Sequence, residues 1–108
     1  MNKRDKFAVR WVGRCKYDQH DKIWGWFFNN PESKDNAVQT TCHVFWARTG
    51  KSVSFKTHSF NKWEMKRLIS NKESKGYVSI SVDELEKLWP SFFDDLENRF
   101  VLHILRQD

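Results

Sequence analysis

Trp46 and Arg48 are the residues in this chain whose types and spacing best suit chemistry on a ligand. They stand two apart in Val44-Phe-Trp-Ala-Arg-Thr-Gly-Lys51, an apolar strand running out into a turn at Thr49-Gly50. In a regular strand, side chains alternate between faces, so Trp46 and Arg48 point the same way. An aromatic plane beside a guanidinium can pack as a cation–π plug, or it can stack on a nucleotide while the arginine holds phosphate. Lys51, Lys56, His58, Lys62, Lys66 and Arg67 follow closely. If the polar face of the next strand turns outward beside a helix, these residues form one basic strip around Trp46 and contact phosphate; otherwise they are scattered solubilising charge.

Other chemistry has little support. Cys15, His20, Cys42, His43 and His58 lack paired metal-ligand spacing, so no metal and no cofactor is expected. No phosphate-cradling glycine loop, nucleophile elbow or zinc-protease helix occurs. The acidic pairs Asp83-Glu84 and Asp94-Asp95 sit where helices begin or face solvent. No catalytic residue is assigned, and the protein is expected to bind rather than catalyse.

Charge supports a polyanion as partner. Residues 1–80 carry 16 Lys/Arg against 7 Asp/Glu, and residues 81–108 carry 3 against 7, within an overall formal charge of +5. A basic body with an acidic end fits a nucleic-acid footprint, or an ordinary surface with a solvated acidic helix. With 31% charged residues and no long apolar run, neither a membrane span nor a signal peptide is expected. The expected location is the cytoplasm, on the nucleoid, or the nucleus, with Cys15 and Cys42 reduced.

The elements that must position Trp46 and Arg48 follow from periodicity. Lys6–Cys15 alternates as a strand, and Lys22–Phe28 is a second strand with Trp24, Trp26 and Phe28 on one face and Gly25 allowing close approach. Asn29–Asn36 is a surface loop. Strand three runs from about Ala37 to Arg48, and strand four from about Val53 to His58, with Val53, Phe55 and Thr57 opposite Ser54, Lys56 and His58. A helix capped by Ser59 or by Asn61 with Glu64 follows, its core stripe being Met65, Leu68 and Ile69. Trp63 falls off that stripe, near Lys66, Arg67 and Ser70; it is either a lid over the sheet edge, the favoured reading since most large aromatics end up packed, or part of a binding surface. After Gly76 comes a short strand, Tyr77–Ile80. Ser81 and Glu84 form a capping box, Pro90 divides two helical pieces, and the apolar run Phe100–Leu105 can close the sheet as a last strand.

This order resembles the WGR domain family, named for its Trp-Gly-Arg motif. Lys22-Ile23-Trp24 resembles the family's early strand, Trp46-Ala47-Arg48-Thr49-Gly50 its signature and turn, Lys75-Gly76-Tyr77-Val78 its closing strand, and Phe60 the aromatic before its helix. The resemblance spans roughly Phe7 to Ile80. Ala47 stands where the family has glycine, Val53-Ser54 where it often has Gly-Gln, and the helix is short for the family. In the poly(ADP-ribose) polymerases the domain helps bind DNA at strand breaks. By resemblance, Trp46 stacks on a terminal sugar or base and Arg48 pairs with phosphate.

The expected fold is therefore α+β, one domain: an antiparallel sheet of about 4–6 strands against one central helix, with a WGR-like core over residues 7–80 and a helical extension over 81–108. The expected function is binding of DNA ends or nicks, or of RNA, through Trp46, Arg48 and the basic strip. The alternative is a protein-interaction module, an inhibitor or adaptor, which an acidic tail covering the basic face would favour.

Overall fold

The computed structural model describes residues 3–34 and 40–106. In chain order the elements are α1 (Lys3–Phe7), β1 (Trp11–Tyr17), β2 (His20–Phe28), β3 (Thr41–Arg48), β4 (Ser54–Ser59), α2 (Lys62–Ser74), β5 (Val78–Ser79), α3 (Val82–Leu88) and α4 (Phe92–Leu105). The five strands form one antiparallel sheet in the order β4-β3-β2-β1-β5. The fold is α+β, with α2 on the sheet and a helical C-terminal segment. No helix among the described residues is long and apolar enough to cross a membrane.

Both faces of the central strands are apolar, and each has its own cover. On one face Trp24, Trp26 and Phe28 of β2 join Cys42 and Val44 of β3 under Met65 of α2, with Leu68 and Ile69 packed alongside. On the other, Val12, Ile23, Phe27, Phe45 and Ala47 meet Phe7 of α1 and Leu85, Trp89, Phe92, Phe93 and Leu96 from the C-terminal segment. Ser81 onward thus completes the core rather than standing beside it. Gly25 shows how tightly these layers meet: a β-carbon there would lie 2.5 Å from the Phe45 ring and 2.5 Å from the Trp11 carbonyl oxygen.

Three expectations are corrected. The chain before Trp11 is not strand: Lys3–Phe7 is helical, and Ala8 at φ 46° turns the backbone. Phe7 and Val9 pack on the α4 side while Trp11 packs on the α2 side, so their alternation does not mark one face. Phe100–Leu105 is the end of α4, not a strand. Phe92, Leu96, Phe100 and His103 recur at helical spacing and turn inward, leaving Val101, Leu102, Ile104 and Leu105 exposed. A continuous apolar run does not distinguish the two structures by period alone.

The third correction is Trp63, which is 77% exposed and so is no lid over the sheet; the Lys66 ammonium lies 5.2 Å from its ring. Asn61 is the cap: its side-chain oxygen accepts from the backbone N–H of Trp63 (3.0 Å) and Glu64 (3.2 Å). That start fixes the phase that buries Met65. Two residues earlier, Trp63 points about 160° away from it at 3.6 residues per turn. Strand three begins at Thr41; its expected start at residues 37–39, and the end of the loop at 35–36, lie outside the described residues.

Candidate nucleic-acid interface

Trp46 and Arg48 share the α2 face of the sheet, as alternation requires. Their register partners on β2 are Trp24 and Lys22. Trp24 is buried, whereas Trp46, one strand nearer the edge, is 41% exposed. Ala47 between them points into the opposite core and is buried there. Its methyl group therefore sits away from the face that carries Trp46 and Arg48.

The β3–β4 turn is held firmly. Gly50 takes φ 82°, a left-handed conformation that suits glycine, and the Lys51 N–H donates to the Arg48 carbonyl at 2.9 Å. Asp21 ties this turn to β2. Its carboxylate accepts two bonds from the Arg14 guanidinium (2.9 and 2.8 Å) and one from the Thr49 hydroxyl (2.9 Å), while its carbonyl accepts the Thr49 N–H. The Arg14 bonds hold the Asp21 carboxyl below the usual range against the opposing effect of burial, and Thr49 adds to them.

Beside the turn opens a cleft of about 350 Å³ lined by His20, Asp21, Lys22, Arg48, Thr49 and Lys51. Among the described residues its one carboxylate, Asp21, is already committed to Arg14 and Thr49. Among the described residues no ion pair joins Lys22, Arg48 or Lys51 to an acid. Lys72 extends the positive region: its ammonium lies 5.6 Å from the rings of both Trp24 and Tyr77. Burial lowers the Lys72 pKa, and the nearby charges of Lys75 and Lys22 lower it further. Like charges gathered over aromatic rings repel one another and favour an incoming anion.

The expected single strip is divided in two. Lys51 joins Trp46 and Arg48 at the cleft. Lys56 and His58 continue along β4 on the same face, opposite Val44 and Cys42. Glu64 is close enough to Cys42 to reinforce the rise of its thiol pKa, caused mainly by burial, to about 11. Lys62 and Lys66 fall on the other flank of α2, where with Arg10 they border a groove floored by Trp11, Trp26, Phe60, Met65 and Ile69. Arg67 lies on the outer side of the helix. The helix itself separates the two groups, because residues spaced for one flank cannot also reach the other.

Periodicity did not single out Lys22, Lys72 or His20. Lys22 enters through its cross-strand register with Arg48, which needs the hairpin pairing. Lys72 enters through the direction of α2 across the sheet. The cysteine and histidine candidates do not converge: adjacent Cys42 and His43 point to opposite faces, and among the described residues no three metal-ligating side chains cluster. Cys15 and Cys42 are free thiols, both buried.

The acidic end covers a different surface. Asp83 and Glu86 of α3 pair with Arg4, and Asp94 and Glu97 of α4 pair with Lys3, Glu97 also taking Lys6. These contacts lie across the sheet from α2. No family model, curated protein or solved structure matches the chain.

Proposed function

We propose that this is a small non-enzymatic nucleic-acid-binding protein that grips the backbone of DNA at the Arg48 cleft. Lys22, Arg48 and Lys51 supply the phosphate contacts, and Trp46 supplies a partly exposed ring for a sugar or base. One observation carries this reading: three cations line a cleft whose sole carboxylate among the described residues is spent on Arg14 and Thr49, next to a half-exposed tryptophan. Arg48 suits planar contact with phosphate oxygens, and stacking on an aromatic ring is worth about 1–3 kcal/mol per base. The resemblance to the WGR signature points to the same two residues. The acidic segment supports the reading as well, since its paired carboxylates lie on the other face.

A protein partner is the second reading, favoured by the exposed apolar end of α4 at Val101, Leu102, Ile104 and Leu105.

The test is titration of blunt, nicked and intact duplex DNA at several salt concentrations, with single-stranded RNA alongside. Binding is expected to weaken steeply with salt, and Arg48→Ala should flatten the log–log slope by about one phosphate equivalent. Trp46→Ala should cost roughly tenfold in affinity for an end or nick. Absence of binding at low salt rules out the proposal. Binding indifferent to both substitutions moves the site elsewhere.

A further inference from the structure

The groove on the far flank of α2 has no part in the Arg48 cleft. It measures about 190 Å³, too small for a whole nucleotide or a drug-sized ligand but of the size of one flat ring. Trp26, which lines it, is 5% exposed, and its indole N–H has no acceptor among the described residues. Buried polar groups are nearly always satisfied, so this donor marks a place where an acceptor belongs. Phe60 stacks on the Trp26 ring at 5.7 Å with 25° between planes. Lys62 and Lys66, one helical turn apart, supply positive charge at the rim, and among the described residues no carboxylate lines the groove. Arg10 adds a third charge, fixed by bonds from its guanidinium to the carbonyls of Pro31 and Ser33 and by its position 5.0 Å over Phe28.

We propose that this groove takes one unpaired nucleobase of a single-stranded segment, with the adjoining phosphates on Lys62 and Lys66. The inference rests on the nucleic-acid reading above and adds a second contact with a different specificity. A nucleobase carries what the groove lacks, an in-plane acceptor on a flat aromatic body, and it brings negative charge on both sides. The Trp26 N–H, closed to solvent in the empty groove, reaches a base carbonyl or ring nitrogen only when the groove lining shifts on binding. The Phe60 and Trp11 rings flank the base, and the backbone leaves across the rim. The preferred ligand is then duplex with an overhang rather than a blunt end.

The test compares three duplexes of equal length: blunt, with a four-thymidine overhang, and with an overhang of four abasic spacers. The two overhangs carry the same phosphates, so their difference isolates the base. Thymidine is expected to bind roughly tenfold tighter than the abasic overhang. Phe60→Leu should erase that ratio while the blunt-duplex affinity of the folded protein stays near wild type. In a parallel NMR titration, the Trp26 indole N–H resonance, assigned with Trp26→Phe, should shift with oligothymidine. Equal affinity for thymidine and abasic overhangs, with blunt duplex still bound, overturns the base slot and leaves the Arg48 cleft standing. Failure to bind any duplex, with the Trp26 resonance unmoved by oligothymidine, overturns both. If that resonance moves instead with an acidic peptide carrying one Phe, the groove belongs to a protein partner and the proposal fails.

Discussion

The two faces of the sheet grow from the same alternating strands, yet they present opposite surfaces to solvent. On the C-terminal face Phe27, Phe45 and Phe92 are fully buried, and the surrounding Lys3, Arg4 and Lys6 are matched by Asp83, Glu86, Asp94 and Glu97. On the α2 face one helix crosses a broad apolar surface, and its two flanks leave Trp46 partly exposed on one side and an aromatic groove on the other. Among the described residues, Lys22, Arg48, Lys51, Lys62 and Lys66 on that side form no ion pair with an acid. One face spends its charge on holding the chain together, and the other keeps it available. A single sheet can thus separate stability from binding, provided that neighbouring residues on one strand serve different faces.

The largest break in that comparison is removal of Ser81 to Asp108. The segment carries Leu85, Trp89, Phe92, Phe93 and Leu96, each worth about 1.5–3 kcal/mol on burial, so together they approach the whole stability of a small domain, about 5–15 kcal/mol. The shortened chain is expected to lose its native circular dichroism and its cooperative melt. A folded, cooperative remainder would show that the α2 layer suffices and that the closed face is an accessory.

A finer cut falls between adjacent residues. Phe45 is wholly buried, with its ring centroid 5.6 Å from that of Phe92, while Trp46 points to the other face. Phe45→Ala should cost about 3–5 kcal/mol of stability in urea unfolding, whereas Trp46→Ala should cost roughly 1 kcal/mol or less. Affinity per folded molecule is expected to rank them the other way. Similar stability losses for the two would mean that Trp46 belongs to the core and that its face is not reserved for a ligand.

These contrasts also show what was legible in the sequence. Alternation placed Trp46 with Arg48 and Trp24 with Trp26, and the capping signals at Asn61 and Ser81 located two helices, because those signals act within a few residues. Alternation failed where the backbone turned, at Ala8, and where an apolar run lacked a period, at Phe100–Leu105. The membership of the cleft needed long-range pairing: Lys22 meets Arg48 through register alone, and Lys62 leaves the strip because α2 stands between it and β4. Trp63 was misplaced for a related reason. A large aromatic side chain is usually packed, but a capped helix with a defined stripe has no second core to offer it.

Acid offers the gentlest way to open the closed face. His43, 1% exposed, sits there with its Nε2 3.0 Å from the Asn29 side-chain oxygen and its Nδ1 3.1 Å from the Thr57 hydroxyl, which in turn lies 2.8 Å from His103 Nε2. The Asn29 oxygen only accepts, so Nε2 carries a proton; with the ring kept neutral by its burial, Nδ1 accepts from the Thr57 hydroxyl. Burial, with His103 nearby, pushes its pKa down to about 4, and burial lowers that of His103 as well. Above pH 6.5 neither the folded nor the unfolded chain protonates His43, and stability is flat with respect to it. Between 6.5 and 4 the unfolded chain takes up a proton that the folded one refuses, so stability falls as pH falls, by on the order of 3 kcal/mol in total. His43→Gln keeps a donor for Asn29 but cannot titrate. In urea unfolding at pH 7.5 and 4.5 it should be less stable than wild type at the higher pH and lose less on acidification. The difference between the two proteins cancels the carboxylates they share. An equal loss in both would show that His43 accepts its proton in the folded state, and that the closed face admits charge.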